Sequence, residues 1–99
     1  MPIPQGTRLL GAQNLVSYPD LVIVAAASAV QILAANPNQI TAFVYNNGSN
    51  PARIGDANVG ATQGIPLIVG GGLTFEATGP LYAYSASGTT ISILATVRP

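Results

Sequence analysis

The chain has 99 residues, and three arginines, two aspartates and one glutamate are its only charged side chains, a 6 % share with a formal net charge of zero. A typical soluble domain is about a quarter charged. Lacking His, Cys, Lys and Trp, the chain has no base for the usual nucleophilic triads, no disulfide or thiolate site and no basic cluster for a phosphate backbone.

The length fits one small domain that buries roughly 60–65 % of its extended surface. A weakly charged, neutral surface favours association over a solitary state. The N-terminus, Met1-Pro2-Ile3-Pro4-Gln5, has no basic region and no continuous apolar run, so a cleaved signal peptide is not expected.

Residues 1–18 show no clean alternation and read as an extended N-terminal arm, with a frayed terminus as the alternative. Leu9, Leu10, Leu15, Val16 and Tyr18 favour an arm that docks on a partner, because a solvated tail carries fewer large apolar side chains. Residues 19–99 are expected to form the domain.

The most apolar stretch, residues 21–35, is too short and alanine-rich to span a bilayer, which needs about 20 strongly apolar residues. Its alanines favour helix, and Ala26, Ala29, Val30 and Leu33 recur at helical spacing. Leu21-Val22-Ile23-Val24 and Val30-Gln31-Ile32-Leu33 instead have β-strand character, and two strands are the reading adopted.

Asn36-Pro37-Asn38 marks a turn before the next strand. Residues 40–45 then alternate Ile40, Ala42 and Val44 with Thr41, Phe43 and Tyr45, so one face suits the core and the other a partner. Further turns are expected at Asn46-Asn47-Gly48-Ser49-Asn50-Pro51, Gly70-Gly71-Gly72, Ala77-Thr78-Gly79-Pro80 and Ser85-Ala86-Ser87-Gly88.

Between these turns, Leu73 and Phe75 share a face, and Leu81-Tyr82-Ala83-Tyr84 places both tyrosines on one side. Residues 91, 93, 95 and 97 form an apolar face opposite Ser92 and Thr96, and Leu94 breaks that alternation. Short strands at such spacing argue for an all-β sandwich or barrel.

Chemistry-bearing groups are few. Asp56 and Glu76 are the one pair that could serve a glycosidase, but Asp56 reads as a turn residue and Glu76 as a solvent-facing strand edge. Arg53 and Asp56 are expected to pair across a tight turn. Asp56 with Asn58, Asn46, Asn47 and Asn50 offers calcium only one carboxylate, and turn stabilisation is the stronger reading. No catalytic residue, metal or cofactor is expected. Phe43, Tyr45, Tyr82 and Tyr84 are candidates for an aromatic platform facing a sugar or a partner protein, with core packing as the alternative.

The span from Gln39 to Val97 carries a recurring pattern. It reads Ile40-Thr41-Ala42-Phe43-Val44-Tyr45-Asn46-Asn47-Gly48-Ser49-Asn50-Pro51, Arg53-Ile54-Gly55-Asp56-Ala57-Asn58-Val59, Gly64-Ile65-Pro66-Leu67, Gly72-Leu73-Thr74-Phe75 and Leu81-Tyr82-Ala83-Tyr84-Ser85-Ala86-Ser87-Gly88-Thr89-Thr90. It resembles the β-sandwich modules of small virion proteins of tailed bacteriophages: capsid cement or decoration proteins, head fibres and tail modules. These motifs are structural punctuation, not catalytic signatures.

The resemblance implies a single-domain antiparallel β-sandwich, jelly-roll-like, with an N-terminal arm. It further implies a non-enzymatic cement protein, made in the host cytoplasm and carried on the capsid surface of the virion. The expected partners are the major capsid protein and further copies of the chain, a trimer being favoured, with neither nucleic acid nor membrane. Leu9, Leu10, Leu15, Val16, Tyr18, Phe43, Tyr45, Tyr82 and Tyr84 are the expected interface residues. The alternative is a glycan-binding tail or fibre module using Tyr82, Tyr84 and the loop asparagines.

Overall fold

A computed structural model describes residues 14–26 and 28–99. Nine strands follow in order: β1 (Asn14–Ser17), β2 (Leu21–Ile23), β3 (Val30–Leu33), β4 (Gln39–Asn46), β5 (Ala52–Gly55), β6 (Ile65–Leu67), β7 (Gly72–Phe75), β8 (Leu81–Tyr84) and β9 (Thr89–Val97). No helix occurs among the described residues. The alanine-rich segment resolves as a turn at Ala25 and Ala26 followed by β3, whose Ile32 and Leu33 are buried. Burying those branched side chains in a sheet outweighs the few tenths of a kcal/mol per residue that helix propensity offers.

The strands form two antiparallel sheets. The front sheet runs β1-β9-β4-β7, with β2 also paired to β9, and the back sheet runs β3-β8-β5-β6. β1 meets β9 at residues 94–97 and β2 meets it at residues 89–91, so the two are one edge strand interrupted by Tyr18, Pro19 and Asp20. Counted that way, the eight strands have the jelly-roll order, in which every connection except β5–β6 crosses between sheets.

The last residues of the segment expected as an arm therefore lie in the front sheet. Asn14 pairs with Val97 and Ser17 with Leu94. Leu9 and Leu10 lie outside the described residues.

Period-two patterning sets the core. Ala42 and Val44 of β4, Ile54 of β5, Ala83 of β8 and Ile91, Ile93 and Ala95 of β9 point between the sheets. Fully burying each large aliphatic contributes about 1.5–3 kcal/mol. At the start of β4 the register to β9 shifts between Gln39 and Thr41. This bulge turns both Gln39 and Ala42 inward and leaves Ile40 half-buried.

One buried polar residue ties the two sheets together. The Asn46 side chain donates to Asn50 O (2.9 Å) and Leu67 O (3.1 Å) and accepts from Gly48 N (3.1 Å) and Thr89 Oγ1 (2.7 Å). All four hydrogen-bonding positions of the amide are filled, so its full burial carries no orphaned group. Gly48 is required beside it, since any Cβ there would collide with Thr89 and the Thr90 backbone.

Candidate functional site

The outer face of the front sheet is the most distinctive surface among the described residues. Across its strands run Leu15–Thr96–Thr41, then Ser17–Leu94–Phe43–Thr74, then Ser92–Tyr45–Gly72, then Val22–Thr90. Alternation fixes these side chains outward, because their neighbours Ile23, Ala42, Val44, Ile91, Ile93 and Ala95 fill the core. Leu15 and Val22 are about 70 % exposed (69 % and 72 %), and Phe43, Tyr45 and Leu94 about 40 % (42 %, 36 % and 41 %). Such a surface marks an interaction site more often than a solvated one.

The polar groups of this face are partly satisfied from within. The Thr41 and Thr96 hydroxyls share a hydrogen bond of 2.7 Å, and Ser92 Oγ donates to Asp20 Oδ1 at 2.8 Å. Covering these groups would therefore cost less desolvation than covering free hydroxyls. Among the described residues two carboxylates border these rows: Asp20, and Glu76 one position beyond β7.

Phe43 is held in place by a glycine. A Cβ on Gly72 would stand 2.7 Å from Phe43 Cε1 and closer still to Cζ, so the far end of the ring occupies the space beside Gly72. The glycine leaves room for the ring, and the ring covers the strand at its weakest point. The turn at residues 68–71 adds Ile68 and Val69, both exposed, beyond Tyr45. It is clipped to the end of β4 by Gly70 N donating to Asn46 O and Asn46 N donating to Gly71 O, both 3.0 Å. Gly70 adopts a φ of +77°, which its lack of a Cβ permits.

The expected aromatic platform is divided. Phe43 and Tyr45 project from the front sheet, while Tyr82 and Tyr84 project from the back sheet, where they lie opposite Gly55 and Arg53 of β5. Alternation predicts each pair correctly, but the topology sends the two pairs to opposite sides of the sandwich. Tyr84 and Arg53 border a shallow pocket of about 280 Å³ with Ala61 and Pro66. Val16 and Tyr18 point inward rather than to a partner: Val16 lies opposite buried Ala95, and Tyr18 packs on the core.

Along the sequence Leu94 stands out only as a break in alternation, and Val22 and Gly72 are not assigned to an outer face. An aliphatic residue at an outward strand position was the available signal for Leu94 and Val22.

Arg53 and Asp56 do not serve each other as expected. Arg53 Nη1 donates to Gly64 O (2.9 Å), and Asp56 Oδ1 accepts from Asn58 N (2.9 Å) in an Asx turn. Glu76 is exposed just after β7 in the front sheet, whereas Asp56 follows β5 in the back sheet. Asn46, with its amide saturated, has no lone pair left for calcium. Among the described residues no group of three or more acidic, His or Cys side chains is placed to hold a metal ion. No protein-family model, no curated protein and no solved structure matches the chain.

Proposed function

We propose that this chain is a non-enzymatic structural protein of a phage virion: a cement protein that binds the outside of the head. On this reading the front sheet turns its outer face to the major capsid protein, and the chain acts as a homo-oligomer on the capsid surface. The observation that carries the reading is the exposed apolar set Leu15, Val22, Leu94, Phe43 and Tyr45 on the outer face of the front sheet, with the carboxylates Asp20 and Glu76 at its border. The jelly-roll order adds support, since that architecture recurs in viral capsid domains as well as lectins.

The mechanism is burial. Each Å² of apolar surface removed from water contributes roughly 25 cal/mol, offset by association costs. Phe43 already rests against Gly72, so part of its surface is buried before docking. Copies that touch more than one capsid subunit gain further from effective concentration. Purified chain is expected to bind saturably to expanded heads that lack it, and Phe43→Asp to weaken that binding strongly. A chain that leaves such heads unoccupied would contradict the proposal.

The glycan-binding module is the second reading, favoured by Tyr82 and Tyr84 side by side on the back sheet next to the 280 Å³ pocket. It predicts glycan-array hits that Tyr84→Ala removes.

A further inference from the structure

The four sheet edges are not equally guarded. β6 carries Pro66 at its centre, β3 has a register shift between Gln31 and Leu33, and the β1/β2 edge is broken at Pro19 and Asp20. Prolines, bulges and charges are the usual devices that prevent edge pairing. β7, Gly72-Leu73-Thr74-Phe75, has none of them within the strand.

The hydrogen bonds of β4 fix which groups β7 leaves free. Asn47 N donates to Thr90 O at 2.9 Å, so with period two Phe43 and Tyr45 direct their backbone groups to β9. Ala42, Val44 and Asn46 then face β7, in agreement with the bond from Asn46 N to Gly71 O. Their partners Phe75 and Leu73 are thereby satisfied. The N–H and C=O of Gly72 and Thr74 point away from the sheet, with no strand beyond them among the described residues.

We propose that β7 pairs antiparallel with β7 of a second copy about a two-fold axis at Leu73, joining two front sheets into one continuous sheet. In that register Gly72 of each chain exchanges backbone hydrogen bonds with Thr74 of the other, using all four free groups on each edge. The pairing is self-complementary, and with four backbone groups matched on each edge a second copy of this chain is the occupant to which the proposal commits. Leu73, half-buried at the rim, meets its own mate at the non-hydrogen-bonded position, where Cα atoms approach to about 4.5 Å. On the outer face Gly72 meets Thr74 of the mate, beside the Phe43 ring that occupies the space next to Gly72. The two Glu76 side chains stay apart, each three residues from the axis and about 20 Å from the other, well beyond a Debye length of about 8 Å.

This gives a two-fold pair where the sequence led us to expect a trimer. The pairing stands on the edge geometry whether or not the chain binds a capsid. It would place two weakly charged outer faces side by side on one surface.

The natural absence of cysteine makes the test clean. Leu73→Cys is expected to form a covalent dimer on mild oxidation, because the paired Cα atoms lie within disulfide range. Thr74→Cys is the control: its two copies are offset by two residues, about 8 Å apart, and should stay monomeric. In the unaltered protein the Gly72 and Thr74 amides should exchange more slowly as concentration rises. Thr74→Pro, which deletes an outward donor and no bond to β4, should abolish dimerisation. Equal cross-linking of both cysteine variants would overturn the proposal. So would Gly72 and Thr74 amides that exchange rapidly at every concentration, or that gain protection only when capsid shells are added.

Discussion

The two outer faces of the sandwich are built from the same strand geometry and differ in what they present. The front face shows Leu15, Val22, Phe43, Tyr45 and Leu94 among hydroxyl residues, several of them already hydrogen-bonded to one another. The back face shows Tyr82, Tyr84, Gln31 and Arg53, with the guanidinium tied to Gly64 O. In a chain with so few charges, charge cannot mark which side is solvated. The distribution of outward aliphatic residues does, because each exposed one costs hydration that a partner can recover.

The largest effect is expected where both faces share a support. Asn46→Ala removes four hydrogen bonds, the two to Leu67 O and Thr89 Oγ1 fully buried, which should cost about 3 kcal/mol of folding stability. Denaturant unfolding would measure it. A loss below about 1 kcal/mol would show that Asn46 does not pin the sheets together.

The faces themselves are separated by a paired substitution. Phe43→Asp should weaken head binding by about thirtyfold or more, the usual cost of removing an aromatic anchor of about 2 kcal/mol. Folding stability should fall by only about 1 kcal/mol, since the side chain is 42 % exposed. Tyr84→Asp on the back face should leave head binding within about twofold. The reverse pattern would transfer the binding role to the back sheet.

Gly72→Ala probes the same anchor indirectly. The added methyl must push the Phe43 ring off the sheet, so head binding should weaken several-fold while the fold persists. The smallest effect concerns salt. A contact made by a weakly charged face should change less than about twofold in affinity between low and high ionic strength, whereas charge-steered binding falls steeply. Both are measurable as binding isotherms on heads lacking the protein.

Much of the sandwich was legible along the chain. β2, β3, β4, β7, β8 and β9 are segments where branched or aromatic residues are grouped between turn-forming clusters, and the structure has strands there. β1, β5 and β6 were not apparent as strands. Each has three or four residues, and Pro66 or Gly55 dilutes the pattern. Their pairing is set by long-range partners that no local window contains.

The proposed interaction surface was half legible. Phe43 and Tyr45 follow from alternation on β4, but their distance from Tyr82 and Tyr84 is a property of topology, which assigns β4 and β8 to different sheets. The role of Gly72 depends on the Phe43 ring occupying the space beside it, a contact between strands far apart in sequence.

The decisive measurement is the position and orientation of the chain on an intact virion, by electron cryo-microscopy. The proposed function predicts density on the outside of the head, with Phe43, Leu94 and Tyr45 turned to the capsid shell and Tyr82 and Tyr84 turned to solvent. Density confined to the tail or a fibre, or a shell contact made by the back sheet, would contradict it.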